Sequence, residues 1–337
     1  MKFDLVTIKD IAKALNVSKS TVSRALQNAP DISIATKSKI IEYAERINYS
    51  PNPFASSLKE GKSHTIGVVV SEIANSFFSQ VIDGIESIAY ENGYRVIITQ
   101  SRESEEREKI NVEHLCSHSI DGLLISLSSA TSNLSHLKKW HTRGLPIVFF
   151  DKISDEIETH KVKINNQLSA FKATDFLIKK GYRKIAHLTT PPYLSTTIER
   201  LSGYQKALQK HSLVYDETLV RYCKHGKDIE QEVKLALESL FKLHSKPDAI
   251  LCASDRTSIS CYQILESMKD KVENVGLAGF SNSKLFDYFP NKVTIVQQPA
   301  FKIGQITTKL LLEIIESKTP IEKFETKVLN AKLIIRE

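Results

Sequence analysis

The chain has 337 residues, 41% of them apolar and 8% aromatic, which is enough to bury a core in two or three domains and too apolar for a disordered chain. Its net charge of +7 and pI near 9.0 favour a polyanionic partner, and the charge is uneven: +4 lies in the first 62 residues and +3 in the other 275. Four cysteines without CxxC spacing (Cys116, Cys223, Cys252, Cys261), an opening without an apolar leader and apolar runs no longer than a strand argue against export or a membrane span, and a cytoplasmic protein is expected.

The first predicted segment, 5–48, is helical. "TIKDIAKAL" places Ile8, Ile11, Ala12 and Leu15 at helical spacing, with Thr7 and Asp10 as a capping-box start. Asn16 and Val17 make a short turn, and Ser18 suits the N-cap of a second helix, 19–26, whose Val22, Ala25 and Leu26 face inward. "QNAPDIS" breaks the chain before a third helix, 34–47, with Ile40, Ile41, Ala44 and Ile47 as its buried stripe. Two short helices across a tight turn, backed by a third, make a helix-turn-helix unit. The next segment, "YSPNPFASSLKEGKS" (49–63), opens with two prolines and closes on Gly61; it reads as a hinge or linker with one or two helical turns at most.

From 64 onwards apolar strands alternate with amphipathic helices. Strands are predicted at 65–71, 94–100, 121–127, 146–150, 161–164, 184–189, 248–252, 275–280 and 293–297. Between them lie helices such as "FFSQVIDGIESIAYENG", in which Phe78, Val81, Ile82, Ile85 and Ala89 form one stripe and Gly93 ends it. Regular alternation implies parallel sheets covered on both faces, and the number of strands implies two α/β lobes. We expect one lobe from 64–162 and 293–322 and the other from 163–292 and 323–337, with the first crossing between Asp151 and Ile164.

One stretch carries chemistry. Between Asp10 and Asp31 there is no acidic residue, while "VSKSTVSRALQN" supplies Lys19, Arg24 and four hydroxyls. A helix in the DNA major groove lies between two rows of phosphates, where a carboxylate would be repelled and expensively desolvated. Ser18, Thr21 and Ser23 suit phosphate contacts, and Lys19, Ser20 and Arg24 lie on the exposed face that reaches base edges. Elsewhere the chemical signals are thin. His114 and His118 have helical metal-ligand spacing but no carboxylate partner, no GxGxxG or GxxxxGK[ST] cradles a phosphate, and Ser195 and Thr196 lack the glycines of a nucleophile elbow. No catalytic constellation, metal site or cofactor is expected.

"VTIKDIAKALNVSKSTVSRALQN" followed by "YSPNPFASSLKEGKSHTIGVVV" resembles the opening of a LacI/GalR-family transcription regulator, and "DGLLIS", "PIVFFD", "KKGYRKIAHLTTPP", "ERLSGYQKAL", "PDAILCASD", "VGLAGFS" and "TIVQQP" continue the likeness over nearly the whole chain. The resemblance implies a lambda-repressor-like helix-turn-helix followed by a periplasmic-binding-protein-like core of two lobes with parallel sheets. It implies a homodimeric regulator on a near-palindromic operator, most simply a repressor, and no enzyme. Thr7, Asn28, Ser33, Tyr49 and Asn52 join the DNA contacts; Leu58 becomes a minor-groove wedge beside Ala55, with Lys59 on groove edges or phosphate. A small sugar-like effector would lie in the cleft against Asn75, Phe77, Phe78, Asp151, Arg200, Ser254, Asp255 and Ser281. Two departures from the family pattern matter. Ser254 replaces the usual Asn and Ser281 an Asp, while Lys152 and Arg256 add positive charge nearby, so an anionic effector is expected. The alternative is a sugar-binding or sugar-modifying protein with a helical appendage and no operator.

Overall fold

Thr7, Ser18 and Ser33 each stand one residue before a helix: α1 (Ile8–Ala14), α2 (Lys19–Leu26) and α3 (Ile34–Arg46). The Ser18 hydroxyl accepts the Thr21 amide at 3.0 Å and the Ser33 hydroxyl that of Thr36 at 3.3 Å, each satisfying a donor that a first helical turn leaves open. At α1 the Asp10 carboxylate reaches back to the Thr7 amide at 2.8 Å. Asn16, at φ +52°, takes the left-handed step between α1 and α2, which Asn tolerates better than most residues. Ile11, Val22, Ala25, Ile40 and Ala44 close the core. Ile41, expected inside, is exposed: α3 buries one stripe through Ile40, Ala44 and Ile47, and Ile41 lies about 100° round the helix from Ile40.

The computed structural model describes residues 6–49, 62–224, 228–268, 275–288 and 293–335, in two units, Met1–Ser63 and His64–Glu337. Most of the expected hinge therefore lies outside the described residues. The second unit holds two six-stranded sheets. β1 (Thr65–Val70), β2 (Arg95–Gln100), β3 (Gly122–Ile125), β4 (Ile147–Phe150), β5 (Lys161–Ile164) and β11 (Thr326–Leu329) form the first, in the order β11-β5-β4-β3-β1-β2. All its pairs are parallel. β6 (Ile185–Thr189), β7 (Val220–Tyr222), β8 (Ala249–Cys252), β9 (Gly276–Phe280), β10 (Thr294–Gln297) and β12 (Lys332–Ile334) form the second, in the order β12-β10-β9-β8-β6-β7. Only its β10–β12 pair is antiparallel.

Strand period sets which side chains meet which helices. Val68, Val70, Leu124, Val148 and Phe150 point to one face of the first sheet, against α4 (Ser76–Glu91) and α11 (Ala300–Glu316). Val69, Leu123, Ile125, Ile147 and Phe149 point to the other, against α5 (Glu105–Ser117) and α6 (Ser135–His141). Both faces are covered, which is why these strands read as unbroken apolar runs. The second sheet is covered likewise by α7 (Asn166–Lys179) and α8 (Ser195–Lys210) on one side and by α9 (Ile229–Phe241) and α10 (Asp255–Ser267) on the other. α4 and α11 touch through Gly84 and Gly304; a Cβ on either would overlap the backbone carbonyl of Phe301 or Val81. Among the described residues no helix is long and apolar enough to cross a membrane.

Three strand assignments correct the sequence reading. β5 pairs with β4, so the first crossing to the second sheet follows Ile164 instead of preceding it. β10, expected in the first lobe, pairs with β9 in the second sheet, and the segment 323–337, expected in the second lobe, supplies β11, which pairs with β5 in the first. An apolar strand run records that it is buried but not by which sheet. β7, β11 and β12 were not expected at all; each is an edge strand of three or four residues with exposed positions and no continuous apolar run.

Candidate functional site

In the first unit, α2 carries no carboxylate, and Lys19, Ser20 and Arg24 are exposed on it, as is Ser18 at its start. Thr21 and Ser23 are half-buried. Ser18 is committed to the cap and shares hydroxyl hydrogen bonds of 2.7 Å with Ser20 and Thr21, so these residues present a bonded ridge of hydroxyls at the start of α2. Arg24 is paired with Asp31, the acid that ends the acid-free window; both side chains remain about half exposed. Arg24 must leave that partner to meet a base. Thr7 and Ser33 are exposed caps. Asn28 accepts from Lys37 Nζ through its side chain at 2.9 Å, and Tyr49 packs half-buried against the core. Asn52, Ala55, Leu58 and Lys59 lie outside the described residues.

In the second unit a cavity of about 270 Å³ opens between the lobes, lined from both sheets. Most of its polar residues share one position: they follow the carboxyl ends of parallel strands. Ser71 and Glu72 follow β1, Arg102 and Glu103 follow β2, Asp151 and Lys152 follow β4, Thr190 follows β6, Ser254 and Asp255 follow β8, and Gln298 follows β10. Ligands of parallel α/β sheets bind at such ends. Asp151 is held at φ +59° and Arg102 and Glu103 at +50° and +57°, left-handed turns that aim consecutive side chains into the cleft.

Arg200, from α8, is the buried cation of the site. Its Nε donates to Asn166 Oδ1 at 2.9 Å, one terminal nitrogen donates to the Ala253 carbonyl, and the guanidinium lies 4.0 Å from the centre of the Phe280 ring. Burial pulls it down to about 10, against the opposing pull of Asp151 and Glu199. Burial raises the Asp151 carboxyl above its usual range, although Lys152 and Arg200 work against that. Burial raises Asp255 too, opposed by the hydrogen bond from the Ser281 hydroxyl and by the nearby backbone amides of Asn282, Ser283 and Ser76. Phe77 and Phe78 meet edge to face at 5.1 Å and serve both the cavity wall and the core. Asn75 and Ser254 line the cavity while capping α4 and α10.

Two expectations change. Ser281 does not line the cavity: it is 1% exposed, donates to Asp255 and accepts the Ser283 amide at 3.0 Å, so it stands behind Asp255 and not beside a ligand. The extra positive charge is offset. Lys152 Nζ bonds Glu103 at 2.6 Å and Ser71 at 3.0 Å, and Arg256 lies 3.8 Å from Glu72. The lining carries Arg102, Lys152, Arg200 and Arg256 against Glu72, Glu103, Asp151 and Asp255, a formal balance of zero that removes the charge argument for an anionic effector. Ser71, Glu72, Arg102, Glu103, Thr190, Leu194, Thr196 and Gln298 were not anticipated; the predicted strand ends were the signal that could have found most of them. Gln298 is the most telling, because its buried Oε1 has no hydrogen-bond partner and needs a donor.

His114 and His118 do bring their rings to 4.3 Å, but among the described residues no three His, Cys, Asp or Glu side chains gather to hold a metal.

Comparison with known proteins gives a consistent result. Residues 7–52 match the family described as bacterial regulatory proteins, lacI family, and residues 63–335 the family described as periplasmic binding proteins and sugar binding domain of LacI family. The chain is 30% identical over 315 residues to the HTH-type transcriptional repressor PurR of Vibrio atlanticus (strain LGP32), covering 93% of each protein. It is 30% identical over 332 residues to the HTH-type transcriptional repressor CytR of Escherichia coli (strain K12), covering 98% of this chain and 95% of the other. Among solved structures, the transcriptional regulator CelR–cellobiose complex superposes with a TM-score of 0.72 at 26% identity, over 98% of this chain and 99% of that one.

Proposed function

The chain belongs to the LacI family of bacterial regulatory proteins, and from that premise we propose how its two units divide the work. It is a DNA-binding transcriptional regulator governed by a small effector. In our reading it is a cytoplasmic repressor that binds a near-palindromic operator as a homodimer. α2 of each copy lies in a major groove, with Ser18, Thr21 and Ser23 toward phosphate and Lys19, Ser20 and Arg24 toward base edges. Two copies place two such helices about one helical turn apart, which matches an inverted repeat. The hinge at 49–63 adds minor-groove contacts, with Leu58 as the wedge. The observation that carries this reading is the surface of α2: bases and hydroxyls without a single acid.

The effector of this proposal is a neutral, sugar-like molecule. The cleft's charge balance, its Phe77–Phe78 wall and the free acceptor of Gln298 support a ligand with an apolar face and hydroxyl or amide donors. CelR, which shares the fold, was solved with cellobiose, a neutral sugar. No catalytic step belongs to this reading. An effector that changes the angle between the lobes changes how two copies present their hinges, and a coupling of about 1–3 kcal/mol suffices for a response.

Nuclease protection tests the DNA half. The full chain should protect one inverted repeat among genomic fragments in excess mixed-sequence competitor, and a protein that protects nothing under competition is not an operator-binding repressor. Calorimetry tests the effector half: a neutral sugar should bind more tightly than its acid or phosphate, and the reverse order would restore the anionic expectation.

A further inference from the structure

Glu199 and Arg200 are consecutive residues of α8, but Arg200 lines the cavity and Glu199 does not. Glu199 reaches instead to the first crossing between the lobes. Its Oε1 accepts Lys163 Nζ, from β5 in the first lobe. Its Oε2 accepts Asn166 Nδ2 at 2.9 Å, from the first residue of α7 in the second lobe. Lys163 and Asn166 stand on either side of the Ile164–Asn165 step, so one carboxylate staples both ends of that crossing. Asn166 passes the contact on, because its Oδ1 accepts Arg200 Nε at 2.9 Å. A guanidinium has no acceptor and a carboxylate no donor. The Asn166 amide, at 2% exposure, can therefore face both in one sense only.

We infer that Glu199 is a positioning residue of the effector site: it fixes the sense of the Asn166 amide, and through that the pose of Arg200, while the same carboxylate braces the first crossing. Without an acceptor at 199 the amide is free to turn, and its NH2 group then meets the Arg200 Nε–H donor to donor. The Lys163 and Glu199 side chains are 22% and 28% exposed, and an ion pair standing partly in water adds little to stability. What this pair adds is a tie between lobes. The Ala253 carbonyl and the Phe280 ring hold Arg200 from within the second lobe, and the path through Asn166 and Glu199 joins it to β5 in the first. This role for Glu199 rests on Arg200 facing the effector. It is read without DNA or effector, so it can fail while operator recognition stands, and the reverse.

Heteronuclear NMR of the arginine Nε–H groups in the full chain tests it. The Arg200 signal is first recognised in ordinary water by cross-relaxation with the Phe280 ring, whose centre lies 4.0 Å from the guanidinium, and its exchange is then followed in heavy water. The parent is expected to exchange slowly. Glu199→Met removes the acceptor while keeping bulk and helix propensity, and should lose the slow signal. It should also quicken exchange of the Asn165 amide, which donates to the Leu329 carbonyl at 2.8 Å across the crossing. Glu199→Gln keeps an oxygen for Asn166 Nδ2 and should retain the slow signal. The exchanged pair, Glu199→Lys with Lys163→Glu, restores the ion pair but sets a donor against Asn166 Nδ2. It should lose the slow signal with an unfolding curve close to the parent's, and it stays informative if Glu199→Met fails to fold. Loss in the Met variant or the exchanged pair, with retention in Gln, supports the positioning role. A parent that exchanges fast, a folded Met variant or exchanged pair that stays slow, a Gln variant that loses the signal, or an unchanged Asn165 amide in a folded Met variant overturns it.

Discussion

On α2, Lys19 and Ser20 stand in solvent, Ser20 bonded to the exposed Ser18 hydroxyl, and even Arg24 has only an exposed ion pair to give up. In the cleft, Asp255, Ser281 and Asn282 are buried or nearly so, and each is bonded to its neighbours. The small unit keeps Lys19, Ser20 and Arg24 outside a six-residue core, so a change at these three alters binding and leaves folding alone. The large unit builds its site from groups that also hold the lobes together, so a change there alters both. Single substitutions can break or sharpen this contrast.

The largest effect is expected at Arg200. Replacing it with Met leaves Asn166 Oδ1 and the Ala253 carbonyl without their donor and Asp151 with only Lys152 as counter-charge, a loss of about 3 kcal/mol in denaturant unfolding together with loss of effector binding. A stable, folded variant that merely bound effector less well would show that site and scaffold are separable after all.

Next comes the response of the large unit to acid. His187 is buried against Tyr204, donates from Nδ1 to the Leu251 carbonyl, and has its pKa pulled down to about 4 by burial. As pH falls below 6.5 the unfolded chain takes up the proton first, so stability is lost progressively until about pH 4, on the order of 3 kcal/mol in total. His160 acts in the same direction, whereas Asp151 and Asp255, raised by burial, bind protons first in the folded chain and add stability at lower pH. His187→Phe should flatten the slope between pH 6.5 and 4, measured by denaturant unfolding at a series of pH values; an unchanged slope would assign it to other groups.

On α2, Lys19→Ala and Arg24→Ala should each cost about 1–3 kcal/mol of discrimination at one half-site position while leaving the unfolding curve in place. A variant that weakened all sequences equally would move that side chain from base edge to phosphate. The smallest effect belongs to Asp31→Asn. It frees Arg24 from an exposed pair worth about 0–1 kcal/mol, so binding to any duplex should rise a few-fold and its salt dependence steepen. No change would mean that Arg24 does not leave Asp31 for DNA.

The same contrast decides what could be read from residues alone. The helix-turn-helix was legible because its signals are local: caps at Thr7, Ser18 and Ser33, a period through Ile40, Ala44 and Ile47, and a missing charge between Asp10 and Asp31. Ile41 was misplaced by one step around a helix. The parallel strands were legible as apolar runs, but their membership was not, since β10 and β11 exchange sheets through pairings that no local pattern encodes. In the cleft, the family resemblance led to Arg200, Asp151 and Asp255, all of which line the cavity, but it did not disclose what they meet. Ser281 was expected to contact the effector because it stands where the family pattern has an Asp, yet its hydroxyl is spent on Asp255. Lys152 and Arg256 suggested an anion until Glu103 and Glu72, distant in sequence, were seen beside them.

The central claim is that an acid-free helix face exists because it enters a groove walled by phosphates. Selection of the purified full chain on a pool of random duplexes, at fixed salt and with competitor, tests it most directly. The account predicts recovery of an inverted repeat whose half-site bases change with Lys19→Ala or Arg24→Ala. A pool that emerges with no preferred sequence, or one whose preference ignores both substitutions, would contradict it.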